Sequence, residues 1–260
     1  MDFLPKRFIV LCLGRTGSTL LGSLLAAHPQ IAWGGEYYKR IRMGMRNSLR
    51  WRLIHRVARR SPLLYLNWQA LRGRRPAYGC KLTPNYVPDV TDVVPHLYRN
   101  GYRIIHLQRQ DVFQTAISST VAAAARHWIT KVGDQLPSAP SLHVDPAAFQ
   151  ETLRELVHLQ ALKQQSVAGV PHLEIIYEDD LADAACRSAT MARVFDHLGL
   201  PFVSVQSTVN KTWNRPYQEI IVNYAELEDI VADSELASVL SPAMSAQQPG
   251  RDQREGKPTC

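Results

Sequence analysis

The sequence predicts an α/β fold, a mostly parallel central sheet flanked by helices in three layers, and three observations predict it. Apolar runs of strand length recur along the chain, segments of helical spacing separate them, and a Gly-rich turn joins the first run to the first helix. The 260 residues, 45% apolar and 20% charged, suffice for one sizeable domain and exclude a disordered chain.

Residues 8–13 form a continuous apolar β-type run. Gly14-Arg-Thr-Gly17 follows, and residues 18–27 then have helical content and spacing. Further buried strands are expected at residues 78–82, 102–107 and 172–177. Helices are expected at 87–99, 112–128, 147–167 and 183–198, the last stopped by Gly199 and Pro201. Residues 39–75 break the rhythm. Ile41, Met45, Leu49, Leu53 and Val57 form an i+4 stripe beside Arg42, Arg46, Arg50 and Arg52, which predicts an amphipathic basic helical insertion within a single domain spanning 1–240. Residues 241–260 are polar, lack apolar periodicity and are expected to be a disordered tail.

The net charge of +7 is concentrated in one segment. Between Tyr37 and Pro88 there are thirteen Lys/Arg and no Asp or Glu, which leaves seventeen basic against twenty-three acidic residues elsewhere. Such a local positive field concentrates anionic ligands or lipid headgroups; a solvated helix face is the plainer alternative. The insertion is therefore expected to cover an acceptor site or to touch a membrane surface. The four cysteines, Cys12, Cys80, Cys186 and Cys260, contain no Cys-x-x-Cys pair and give neither a disulfide framework nor a zinc site. No run approaches the roughly 20 apolar residues that span a bilayer, and the apolar run after Lys6-Arg7 is too short for a signal peptide. A cytoplasmic protein in a reducing compartment is expected.

Gly14-Arg-Thr-Gly-Ser-Thr19 lies between a strand and a helix, where backbone N–H groups and the positive helix end converge on an anion. The arrangement is P-loop-like without being a Walker A loop: Ser18 stands where the lysine would follow the second glycine, and the cation is Arg15 inside the turn. A Rossmann G-x-G-x-x-G is absent too. A phosphate held by Arg15, hydroxyls and amides, with no evident metal ligand, argues against ATP hydrolysis. Glycines serving only tight strand–helix packing are the structural alternative.

Arg15-Thr-Gly-Ser-Thr19 resembles the 5′-phosphosulfate loop of sulfotransferases that use 3′-phosphoadenosine-5′-phosphosulfate (PAPS). His106-Leu-Gln-Arg109 through Ser118 resembles the family's 3′-phosphate motif, with Gln110 where relatives often carry a second basic residue. Gly35-Glu36 lies where bacterial carbohydrate sulfotransferases (the Stf0 type and the nodulation-factor type) have a Gly-Glu pair. Lys81-Leu-Thr-Pro-Asn-Tyr86, Tyr177-Glu-Asp-Asp-Leu181, and Asn214-Arg-Pro with Asn223-Tyr-Ala-Glu-Leu227 are similar to further family segments. The ordered matches run over residues 8 to 227; the 37–75 segment has no counterpart in them.

The resemblance implies an enzyme of the PAPS-dependent sulfotransferase class, acting on a hydroxyl of a carbohydrate, glycolipid or related metabolite. Gly14, Arg15, Thr16, Gly17, Ser18 and Thr19 would hold the 5′ side of PAPS, Arg109 and Ser118 the 3′-phosphate, and Arg215 would close over it. In-line transfer develops charge on the bridging oxygen, which Arg15 and the loop N–H groups are placed to stabilise, so no metal is required. The attacking hydroxyl needs a base. Glu36, one strand-length beyond the first helix, is the candidate; pairing with an arginine is its alternative role, and His28, His106 and His127 are rival bases. Lys81 is a candidate for a sulfuryl oxygen, or a surface lysine. Arg126 and Trp128 are candidates for gripping a sugar, with helix packing as the alternative for Trp128. A divergent P-loop kinase or NTPase is the competing enzyme, and a basic nucleic-acid or membrane-binding module the competing non-enzyme. No nucleic-acid partner is expected on the leading reading, membrane contact through 39–75 and a homodimer are left open, and the acceptor is unspecified.

Overall fold

The structure, a computed structural model, describes residues 5–36, 54, 56–58, 60–87, 89–135, 141–213 and 215–237. The basic stripe at 41–53 and the expected tail at 241–260 lie outside these residues. The chain divides into two compact units, residues 1–108 with 159–208, and residues 109–158 with 209–260.

In the first unit, β1 (Lys6–Leu11), β2 (Ile31–Trp33), β3 (Ala77–Leu82), β4 (Tyr102–Gln108) and β6 (Leu173–Ile176) form one sheet in the order β2-β3-β1-β4-β6. Every strand pair in it is parallel. β1 is central because Phe8–Leu11 are apolar on both faces and fully buried, each such side chain contributing about 1.5–3 kcal/mol of burial. Its alternation divides the core. Ile9 and Leu11 meet Tyr65 and Leu66 of α2 (Pro62–Arg72), Val94 and Leu97 of α3 (Val90–Arg99) and Val167 of α5 (Pro146–Val167). Phe8, Val10 and Cys12 meet Leu21, Leu24 and Leu25 of α1 (Ser18–Ala27) and Val194, Phe195 and Leu198 of α6 (Ala184–Leu198). Helices thus cover both faces, as parallel sheets require.

The second unit has α4 (Val112–Ala124), the first half of α5, the antiparallel pair β5 (Thr130–Lys131) and β7 (Val209–Asn210), α7 (Tyr217–Ile220) and α8 (Tyr224–Ala232). Phe113 packs edge-on to Phe149 and Tyr224 in its core. Asn223 ties this unit together, accepting from the Val144 N–H and donating to its carbonyl, both at 2.9 Å.

Two expected helices are shorter than their apolar patterns. The expected 87–99 helix begins only at Val90, because Asp89 takes φ +43° and caps it. The expected 112–128 helix ends at Ala124, followed by Arg126 at φ +50°. Within 39–75, the described helix α2 has Ser61 as N-cap and Pro62 at its first position.

Candidate active site

The turn after β1 combines two left-handed residues, Arg15 at φ +64° and Gly17 at φ +81°. For a residue with a side chain this conformation costs roughly 1–3 kcal/mol. Thr16 is buried and donates from Oγ1 to the Leu13 carbonyl at 2.8 Å. Gly17 lies against the Tyr177 ring so closely that a Cβ would come within 2.3 Å of Cδ2, so both φ and space require glycine. Gly17 also caps α1 with no side-chain acceptor, and the first turn carries no acidic residue. Helices α2, α3, α4 and α6 are instead capped by Ser61, Asp89, Asp111 and Asp183. The first N–H groups of α1 thus lack a side-chain anion of their own, which suits them to an external one.

The base candidate is delivered by the sheet. Pairing between β2 and β3 continues past Trp33, with Gly34 donating to the Gly79 carbonyl and Lys81 N–H to the Gly35 carbonyl, both at 2.8 Å. Gly35, at φ +65°, then turns the chain so that Glu36 meets the end of β3. Lys81 Nζ lies 3.2 Å from Glu36 Oε2 and donates to Ser18 Oγ, also at 3.2 Å. Thr83 donates to Glu36 Oε1 at 2.5 Å. The Lys81 and Glu36 side chains are 14% and 17% exposed, reachable from solvent yet shielded enough for their attraction to exceed that of a surface pair. One lysine therefore connects the carboxylate directly to the anion loop.

Cys12 and Lys163 are both buried in the same unit. Burial pushes the Cys12 thiol up, against the opposing pull of Lys81, while Glu36 adds to the rise. Lys163, fully buried, donates from Nζ to the Leu107 carbonyl at 2.8 Å; burial lowers it to about 8, opposed by Cys12 and Glu174.

The histidines are used elsewhere. His28 ends α1, and because its Nδ1 accepts from the Gln30 N–H at 3.1 Å, its Nε2 is the donor to the Pro201 carbonyl at 3.0 Å. His106 faces the core, and burial, then the charges of Lys163 and His172, push it down to about 3. His127, in the second unit, has Nε2 2.9 Å from Thr130 Oγ1.

Arg109, Ser118 and Arg215 all belong to the second unit. Arg109 follows β4 directly, ahead of the Asp111 cap of α4. Ser118 is buried within α4. Arg215 donates from Nε to Glu219 Oε2 at 2.9 Å and from Nη2 to the Glu219 carbonyl at 3.3 Å, so its guanidinium is engaged locally. Trp128 lies beyond the end of α4 and is 48% exposed.

A sequence profile described as the Sulfotransferase family matches residues 6–204, most of the chain. The chain belongs to the sulfotransferase family. Among solved structures it is similar to the sulfotransferase domain of the Synechococcus olefin synthase, at 14% identity and TM-score 0.42, over 97% of this chain and 93% of that one. A sulfotransferase from Alicyclobacillus acidocaldarius is similar at 16% identity and TM-score 0.47, over 93% of this chain and 98% of the other. One from Mycobacterium avium gives 11% identity and TM-score 0.47, over 77% and 65%. No curated protein matches by sequence.

For a sulfotransferase, the loop, Glu36 and Lys81 are the residues that the structure brings together. Sequence reasoning gave no role to Thr83, which fixes the carboxylate, or to Tyr177, which packs beneath Gly17. Thr83 carried a signal in its place two residues after Lys81, since alternate strand residues share a face. Tyr177 carried none beyond the family segment that it opens.

Proposed function

We propose that this sulfotransferase moves the sulfuryl group of PAPS to a hydroxyl of a carbohydrate, glycolipid or related metabolite, as the bacterial carbohydrate members of the family do. The observation that carries the reading is Lys81, bonded at once to Glu36 and to Ser18 of the loop. In the proposed reaction the acceptor oxygen attacks sulfur, the sulfur–oxygen bond to the 5′-phosphate breaks, and adenosine 3′,5′-bisphosphate leaves. Glu36 takes the acceptor proton, with Thr83 holding the carboxylate in place. Arg15 and the N–H groups at the start of α1 offset the charge that builds on the leaving phosphate. Lys81, already shared between base and loop, is proposed to exchange part of its bond to Glu36 for a sulfuryl oxygen, which frees the carboxylate as the donor binds. Arg109 and Ser118 are proposed for the 3′-phosphate, and Arg215 for the same group on release from Glu219. No step in this scheme uses a metal.

Membrane contact is proposed for α2. It exposes Leu64, Trp68 and Leu71 on one side, with the Arg72 guanidinium 4.8 Å from the Trp68 ring centre. An apolar face edged with arginine suits an anionic lipid surface, where a glycolipid acceptor would be found. Among the described residues no helix is long and apolar enough to cross a membrane.

The test is incubation with radiolabelled PAPS and a panel of sugar, glycolipid and small hydroxyl acceptors. Label should appear in an acceptor with the wild-type protein and disappear with Glu36→Gln. A wild-type protein that labels no acceptor and does not bind adenosine 3′,5′-bisphosphate would overturn the reading.

A further inference from the structure

On the sheet face that packs against α2 and α3, three side chains converge, two of them placed directly by strand register. His106 of β4 is the direct register partner of Glu174 in β6. His172 lies two residues before Glu174, so by strand alternation it shares that face. Their ligand-type atoms, one per residue, all lie within 4.8 Å of one another. His106 Nδ1 is 3.9 Å from Glu174 Oε1, and the two imidazoles meet edge to face with centres 5.5 Å apart.

The protonation pattern favours a ligand here. His172 Nδ1 lies 2.7 Å from the Val170 carbonyl, which can only accept, so Nδ1 carries the proton and Nε2 keeps its lone pair. This is the arrangement by which an outer carbonyl orients a metal-binding histidine. His106 is fully buried, and neither ring nitrogen has a hydrogen-bond partner among the described residues. Buried polar atoms are nearly always satisfied, so an orphaned imidazole aimed at a second imidazole and a carboxylate marks a missing partner.

We propose that His106, His172 and Glu174 form a binding site for a divalent transition-metal ion of the zinc type. Two imidazoles and one carboxylate are a borderline-soft donor set with room for one water, a combination that zinc accepts. Bond lengths of about 2.0–2.2 Å around a tetrahedral ion place ligand atoms roughly 3.4 Å apart. From separations of up to 4.8 Å, the ligand atoms therefore close by at most about 1.4 Å on binding. Glu174 supplies that movement: its side chain is 49% exposed, which also gives the ion a path from solvent. Its other contact is with the Gln108 amide, which donates to Oε1.

The charges around the cluster are mixed. Lys163 opposes a cation, but its ammonium is tied to the Leu107 carbonyl, and the Glu174 carboxylate offsets its charge. Arg193 reaches only the Glu174 backbone carbonyl, at 3.3 Å, while its other nitrogen is bonded to Asp180. Bound there, the ion would join edge strand β6 to β4. It would have no part in the transfer reaction.

The test is titration of chelator-treated protein with Zn²⁺ against a chromophoric competitor, with Co²⁺ as a spectroscopic substitute. One ion per chain should bind, Co²⁺ should develop visible d–d absorption, and the thermal midpoint should rise with added Zn²⁺. His172→Asn and Glu174→Gln, both on partly exposed positions, should each weaken binding by at least the 10- to 100-fold, about, that loss of an outer-shell partner costs. Neither variant should then show the thermal shift. No stoichiometric binding by the wild-type protein overturns the site, and so does binding that both variants retain unchanged.

Discussion

Glu36 has two hydrogen-bonding neighbours with different consequences. Thr83 orients one carboxylate oxygen and Lys81 charges the other, so the two substitutions should read out differently. Glu36→Gln keeps the shape and loses the proton acceptor. Its expected cost is about 10²–10⁴ in turnover, with the affinity for adenosine 3′,5′-bisphosphate kept, measured by steady-state kinetics beside calorimetry. Lys81→Met removes the cation from both Glu36 and the loop and should lower turnover and nucleotide affinity together. At His106 the prediction concerns pH. Its folded value, about 3, lies below the ordinary 6.5, so between those values the unfolded chain binds a proton that the folded chain refuses. Stability should therefore fall as pH drops below 6.5, by about 1.4 kcal/mol per pH unit for one such group. His197, also lowered by burial, adds in the same direction. Urea unfolding at pH 7 and pH 5.5, in a chelator, should show this slope, and His106→Leu should flatten it; an equal slope in both proteins would rule out burial of His106 as its source.

The five-residue π turn Tyr177–Leu181 connects β6 to α6 and carries the ring on which Gly17 rests. Asp180 holds this turn, accepting from the Ile176 N–H and from Arg193, both at 2.7 Å, while Thr190 donates to the Asp180 carbonyl at 3.0 Å. Asp180→Ala should free the ring and loosen the loop without touching any ligand. Weaker nucleotide binding, with helical circular dichroism retained, is the expected result. Gly17→Ala should weaken binding more, since its methyl group meets both an unfavourable φ and the Tyr177 ring. The loop itself was legible in the sequence, because glycine spacing and an apolar run on either side are local signals. So were β3, β4 and β6, within a residue or two. The three-residue β2 was not, being too short for any periodicity, although it is what returns Glu36 to the loop. The His106–His172–Glu174 group was also invisible. Its members meet only through the register between β4 and β6, and no ligand-spacing pattern connects residues 106 and 172 along the chain.

At the scale of the molecule, the proposed assignment gives the 5′ side of the nucleotide to the N-terminal loop and its 3′-phosphate to Arg109 and Ser118. On the proposed assignment, adenosine 3′,5′-bisphosphate should bind one to two orders of magnitude more tightly than adenosine 5′-monophosphate, because a charged hydrogen bond contributes about 1.5–3 kcal/mol. Arg109→Ala should remove most of that preference and leave the monophosphate nearly unchanged. Four calorimetric affinities close the cycle, and equal binding of both nucleotides by the wild-type protein would remove Arg109 and Ser118 from the assignment. The sheet order has a consequence of another kind. β1 is flanked only by β3 and β4, so the most apolar strand of the first unit pairs with nothing near it in the chain. On the ribosome, at about 5–20 residues per second, β4 follows β1 by roughly 5–20 s. β3 emerges roughly 1–5 s sooner, and until it does Phe8, Ile9, Val10 and Leu11 have no partner strand, an exposure suited to a holding chaperone, with the docking of β1, rather than helix formation, as the expected slow step of folding.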